Sequence, residues 1–197
     1  MIALPISEIF YSLSGEGQNS GIPTTFIRVA GCNFVLPQNH ACRYCDAGYA
    51  QTLNEAKVTS LEDILEKVTK IGCQNVAITG GEPLMYPSTR KLVLALLEAN
   101  GYNIEIYTNG SYLIWDGPNR LTWSMDCKTP CSGNSNKNCY VNFSLLGPHD
   151  QVKFIIEADR DMTFAKDVLK KYPTAAMAVF QPSYGKISLE ALAKWVT

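Results

Sequence analysis

At 197 residues, 46% hydrophobic and 18% charged, the chain has the length and apolar content of one ordinary domain with a sizeable core. Its 17 Lys and Arg against 18 Asp and Glu give a net charge of -1, which leaves no basic field to hold nucleic acid and favours a small ligand. No run approaches the roughly twenty apolar residues that cross a bilayer, and Met1 to Glu8 carry no basic leader. The expectation is a cytoplasmic protein with no membrane partner. Seven cysteines are an odd count in a chain long enough for a core, so metal binding fits better than a secreted disulfide framework.

Residues 25–30, β-branched and aromatic and followed by Gly31, predict the first strand. A loop with Cys32, Cys42 and Cys45 follows. Thr59 with Glu62 has the form of a capping box; Leu61, Ile64, Leu65, Val68 and Ile71 make an apolar stripe, and Gly72 stops the helix. A strand over 75–79, a helix over 88–100 with Leu92, Val93, Leu96 and Leu97 inward, and a strand over 104–108 come next. Further strands are predicted at 121–125, 152–156 and 175–180, and helices at 162–171 and 189–196. Two successive strand-helix-strand units imply parallel pairing. About six parallel strands against three or four helices predict an α/β fold, a partial (β/α) barrel. No repeat or linker divides it, so 1–197 reads as a single domain.

In parallel α/β folds ligands collect at the C-terminal strand ends. Cys32 follows the first predicted strand, Gly80-Gly81-Glu82 the second, Asn109-Gly110 the third, Asp126 and Lys128 the fourth, and Gln181-Pro182-Ser183 the last. One mouth would gather them. Three thiolates hold a cubane iron-sulfur cluster by three irons and leave the fourth open to an outside ligand. The same cysteines with His40 also suit zinc. Gly80-Gly81 by itself is equally a strand-to-loop turn, Arg28 an ion-paired strand residue, and Asp126 with Lys128 a surface pair. Cys127, Cys131 and Cys139, in a Ser/Asn-rich loop, read as unligated thiols in preference to a second metal site, because no further ligand stands near them.

Several segments together resemble the radical S-adenosylmethionine enzymes and, within them, the 7-carboxy-7-deazaguanine synthases of queuosine biosynthesis. They are Glu8 to Gly17 (EIFYSLSGEG), Phe26 to Asn33, Cys42 to Asp46, Thr79 to Pro83 and Thr108-Asn109-Gly110. The resemblance spans nearly the whole chain, with an insertion in the cluster loop at about 33–41 and a short C-terminus. It implies a 4Fe-4S cluster on Cys32, Cys42 and Cys45 whose open iron chelates S-adenosylmethionine, the source of a 5'-deoxyadenosyl radical. Tyr44, Asp46, Gly80, Gly81, Glu82, Asn109, Ser124, Asp126, Gln181, Pro182 and Ser183 then bind that cofactor. Glycines let the backbone approach the methionine part closely. The implied substrate is 6-carboxy-5,6,7,8-tetrahydropterin, held by Leu13, Ser14, Gly15, Glu16, Arg28 and Thr79, with the Arg28 fork on a carboxylate. An electron donor such as flavodoxin or ferredoxin is implied, and a homodimer is expected of a small barrel with an open edge.

Four departures from the family pattern stand out. Ser14 replaces the usual Gln before Gly-Glu-Gly, and Tyr107 replaces the usual Glu before Thr-Asn-Gly. Ala47 takes the place of the Thr or Ser that helps hold Mg2+, and a methyl group ligates no magnesium. The chain stops at Trp195-Val196-Thr197, where relatives continue to a Gln-x-His-Lys segment, and neither His40 nor His149 stands at that position. Rival readings are a radical enzyme acting on another pterin or purine, a glycyl-radical activase, and a zinc-stabilised binding module.

Overall fold

The computed structural model describes residues 2–35 and 41–196. His40 and most of the 33–41 insertion lie outside them. The strands are β1 (Ala3–Leu13), β2 (Pro23–Val29), β3 (Lys57–Ser60), β4 (Asn75–Gly80), β5 (Asn103–Thr108), β6 (Leu121–Asp126), β7 (Gln151–Ile156) and β8 (Met177–Pro182). They form one sheet in the order β3-β1-β2-β4-β5-β6-β7-β8. From β2 to β8 every pairing is parallel, which gives the six parallel strands of a partial barrel. β1 and β3 add an antiparallel edge.

Alternation along these strands separates two faces. Ile27, Val29, Val76, Ile78, Ile104, Ile106, Trp123, Met125, Val152 and Phe154 belong to the buried core. Their neighbours Arg28, Thr79, Tyr107, Ser124, Lys153 and Ile155 turn the other way and line a cavity. The core side is covered by α1 (Leu61–Ile71), α2 (Pro87–Asn100), α3 (Asp159–Lys171) and α4 (Leu189–Val196), through residues such as Ile64, Val68, Leu92, Leu96, Ala165 and Leu192.

Two strands escaped the sequence reading, for local reasons. β1 changes register between Ile6 and Glu8, so its alternation slips by one residue and no period of two survives. β3 is four residues long, with Val58 exposed, and only its pairing with β1 makes it a strand. The capping residue of α1 is accordingly Ser60, whose hydroxyl accepts from Asp63 N at 3.1 Å. Thr59 belongs to β3 and donates to Lys57 O, which corrects the Thr59/Glu62 box by one position. Gly72 and Gly101 close α1 and α2 in left-handed conformation. α3 begins three residues before its predicted start because Asp161 reaches back to accept from Glu157 N and Ala158 N. β8 lies two residues later than predicted, so Gln181 and Pro182 end the strand instead of following it.

Ser60→Ala removes the cap and lowers stability by about 1 kcal/mol, which a urea unfolding midpoint shifted at constant slope would show.

Candidate active site

A cavity of about 650 Å³ occupies the concave face of the sheet. At the C-terminal strand ends it is lined by Cys32, Cys42, Tyr44, Cys45, Asp46, Ala47, Gly80, Gly81, Asn109, Asp126, Lys128, Gln181, Pro182 and Ser183. Leu13, Ser14, Gly15 and Glu16 line it from elsewhere. Because β1 runs antiparallel to β2, with Leu13 opposite Pro23, this segment arrives at the N-terminal strand ends. It forms a floor opposite the cysteines. Phe10, Ser12, Phe26, Arg28, Thr79, Tyr107, Ser124 and Lys153 lie between.

At the rim, β2 and β4 meet backbone to backbone. Gly81 N donates to Val29 O and Glu82 N to Gly31 O, while Gly31 N and Cys32 N donate to Ala50 O and Gln51 O. A β-carbon on Gly80 would collide with Val29 O, and one on Gly81 with Gly31 O. The two glycines therefore let two strand ends touch, and Gly80 also needs its positive φ of 129°. Glu82, expected among the cofactor residues, does not line the cavity. Fully buried, it accepts from Leu84 N at 2.9 Å, Thr108 Oγ1 at 2.8 Å and Asn109 N at 2.6 Å. Burial pushes its pKa up to about 7 in spite of these donors.

The three cysteines are free thiols facing one cavity. Burial pushes Cys32 up to about 11 and raises Cys42 as well, so thiolate at either position calls for a cationic partner such as iron. Amide donors already point at the sulfurs: Asn109 Nδ2 is 3.9 Å from Cys32 Sγ and Asn134 Nδ2 is 3.6 Å from Cys42 Sγ. Asn134 belongs to the loop after β6, which also accepts from Arg43 N through Ser132 O. Among the described residues no three His, Cys, Asp or Glu side chains gather tightly enough for one metal ion. A cubane, which takes each thiolate on a different iron, does not require that convergence. In the same loop Cys127 is packed in the core and Cys131 accepts from Arg160 Nε at 3.0 Å.

Two buried polar atoms on the cavity wall are under-satisfied among the described residues: the Tyr44 hydroxyl makes no hydrogen bond of good geometry, and Asp126 Oδ1 has only the Lys153 ammonium, at 3.4 Å. Thr129, beside Tyr44, gives its own proton to Ile155 O. Such under-satisfied groups fit a polar ligand. Burial opposes ionisation of Asp126, yet Lys128, at 2.6 Å, and Lys153 hold its carboxyl below the usual range.

The floor is tied down by polar contacts. Asn19 Nδ2 and the Tyr107 hydroxyl both donate to Glu105 Oε2, and Gln151 Nε2 bonds Glu105 Oε1 and Ser124 Oγ. Ser14 Oγ lies 3.3 Å from the Tyr107 hydroxyl, so the two departures from the family pattern at positions 14 and 107 touch each other. Higher on the wall, Phe10 and Phe26 stack with centroids 5.0 Å apart. Arg28 sits over Phe10 and is held through Nε by Glu8 at 2.8 Å.

Comparison with known proteins agrees with this geometry. The Radical SAM superfamily matches residues 30–122. The 7-carboxy-7-deazaguanine synthase of Chlorobaculum tepidum is 32% identical, over 98% of this chain and 86% of its own length. The enzyme of the same name from Methanospirillum hungatei is 38% identical, over 92% and 74%. The chain belongs to the 7-carboxy-7-deazaguanine synthase family. It is therefore a radical S-adenosylmethionine enzyme, whose superfamily uses a 4Fe-4S cluster and S-adenosylmethionine. The crystal structure of QueE from Escherichia coli shares the fold, with a TM-score of 0.72 at 22% identity, over 100% of this chain and 89% of that one. Among the described residues no helix is long and apolar enough to cross a membrane.

Sequence reasoning missed Lys153, Phe10 and Phe26 as cavity residues. A lysine between Val152 and Phe154 looks like the wet face of a half-buried strand; here that face is the inside of the barrel.

Glu82 gives a pH signature. Its folded pKa of about 7 exceeds the ordinary 4.5, so its contribution to stability is complete below about pH 4.5 and falls as pH rises toward 7. Glu82→Gln removes that slope. Relative to the wild type, its unfolding free energy improves by on the order of 2–3 kcal/mol between pH 5 and 7.5, measurable by urea titration at the two pH values.

Proposed function

We propose that this chain converts 6-carboxy-5,6,7,8-tetrahydropterin to 7-carboxy-7-deazaguanine with loss of ammonia. The observation that carries the reading is that Cys32, Cys42 and Cys45 open onto the same cavity as Arg28 and Glu16. Radical precursor and substrate then share one cavity. When bound, the cluster and S-adenosylmethionine supply a 5'-deoxyadenosyl radical that takes a hydrogen atom from the substrate.

Within that reading Cys32, Cys42 and Cys45 hold the cluster. Gly81 and Asn109 border the methionine part of the cofactor, and Asp126, Ser124, Tyr44 and Gln181 to Ser183 its ribose and adenine. Asp126 Oδ1, buried and held only by Lys153 at 3.4 Å, keeps a lone pair that supports an acceptor role toward a hydroxyl. The stacked Phe10 and Phe26 give a flat apolar wall for a flat heterocycle. Arg28, steadied through Nε, presents its remaining donors to the substrate carboxylate. Leu13 to Glu16 and Thr79 bound the ring edge. Asp46 with water is the proposed magnesium site, since Ala47 contributes no ligand. Flavodoxin or ferredoxin supplies the electron, and a cytoplasmic setting keeps all seven thiols free. The short exposed edge strand β3 supports pairing between two copies.

The direct test is anaerobic purification, reconstitution with iron and sulfide, and incubation with S-adenosylmethionine, reductant and 6-carboxytetrahydropterin, with and without magnesium. Mass spectrometry is expected to find both 5'-deoxyadenosine and 7-carboxy-7-deazaguanine. Deoxyadenosine alone would reject the substrate and keep the radical chemistry. Cys42→Ala should lose the brown chromophore, its cluster iron and sulfide, and all cofactor cleavage. Arg28→Ala should raise KM for the pterin roughly 10- to 100-fold, the range expected for a lost charge-assisted hydrogen bond, and lower deazaguanine far more than deoxyadenosine.

A further inference from the structure

A buried cation joins floor and rim. Lys153 lies on β7 with its side chain 5% exposed, its Nζ 3.1 Å from Glu16 Oε2 and 3.4 Å from Asp126 Oδ1. The ammonium also stands 4.9 Å from the centroid of the Tyr107 ring. Burial disfavours the charged amine, but Asp126 and Glu16 outweigh it and raise the pKa of Lys153.

The two carboxylates depend on this lysine unequally. Asp126 keeps a second cation, Lys128, at 2.6 Å. Among the described residues the Glu16 carboxylate pairs with Lys153 alone. Neighbouring contacts, Gln18 N to Gln151 Oε1 and Asn19 Nδ2 to Glu105 Oε2, hold the segment but do not aim the Glu16 side chain. That side chain is 36% exposed, and without Lys153 it is free to turn toward water.

We propose that Lys153 is the positioning residue for Glu16, holding its carboxylate inside the cavity where it accepts N–H donors from the edge of the pterin ring. The inference rests on the reading of Glu16 as a substrate contact. A lysine with a merely structural role predicts a different outcome: removing one partner of a buried ion pair destabilises the fold, so Lys153→Met would lower the melting temperature and leave pterin affinity unchanged in the folded protein, whereas here pterin affinity itself falls.

The test is equilibrium binding of 6-carboxytetrahydropterin to the anaerobically reconstituted enzyme with S-adenosylmethionine present, by titration calorimetry, beside melting temperatures and S-adenosylmethionine affinity. Lys153→Met and Glu16→Gln are each expected to weaken pterin binding at least tenfold. The double variant should be no weaker than the worse single one, because both remove one interaction. Lys153→Arg should stay within threefold of wild type. Wild-type affinity in Lys153→Met overturns the proposal, as do losses that multiply in the double variant. If Lys153→Met does not fold, Lys153→Arg and Glu16→Gln decide alone, and wild-type affinity in Glu16→Gln overturns it. A wild type that binds S-adenosylmethionine but no pterin rejects the substrate reading itself, and this inference with it.

Discussion

No side chain fits at position 81. Its β-carbon would strike Gly31 O, and the one before it would strike Val29 O. This contact lets the end of β4 close on the end of β2, and both flanking loops inherit their positions from it. Cys32 leaves the contact on one side, held by Gln51 O; Glu82 leaves it on the other and drops into the core to bind Thr108 and Asn109. Asn109 in turn reaches Asn33 Oδ1 at 2.9 Å and approaches the Cys32 sulfur. A backbone constraint thus fixes the first cysteine against the third parallel strand. Glu82 holds this arrangement from beneath the cavity.

The interior of the barrel faces the opposite problem, since it must keep charges away from water without losing them. Lys128, Asp126, Lys153 and Glu16 form a chain of alternating sign from rim to floor. Each buried ion has a counter-ion within 3.4 Å, as burial of charge demands. The chain runs across strands, with Asp126 directly opposite Lys153 in the β6–β7 register. Register, more than proximity in sequence, brings the groups together. Glu105 does the same for uncharged donors, drawing one from β7, one from its own strand and one from the segment after β1.

Much of the fold was legible in the chain. Strands rich in β-branched and aromatic residues alternate with amphipathic helices that stop at Gly72 and Gly101, and these are local signals with strong periods. What escaped was whatever a neighbour defines. β1 hides behind its register shift, β3 exists only as the partner of β1, and α3 starts early because Asp161 caps it from inside the helix. The expectation that one mouth gathers the strand-end residues fitted Cys32, Gly80, Gly81, Asn109, Asp126, Lys128 and Gln181 to Ser183, but not Glu82. It did not anticipate Leu13 to Glu16, which reach the cavity from the other end because β1 runs antiparallel.

By itself the sequence determined the chemistry on offer: three closely spaced thiols, a Gly-Gly-Glu turn, an arginine on a strand, and an α/β order that collects such groups. These follow from residue identity and short spacing, which do not depend on the rest of the chain. Tertiary structure alone decided which face of each strand is dry, that Gly80 and Gly81 serve a backbone contact, that Glu82 is turned inward, and that Lys153 stands between two carboxylates. Those properties arise from strand register and barrel curvature, which place residues more than a hundred positions apart within hydrogen-bonding distance and so leave no mark in any local window.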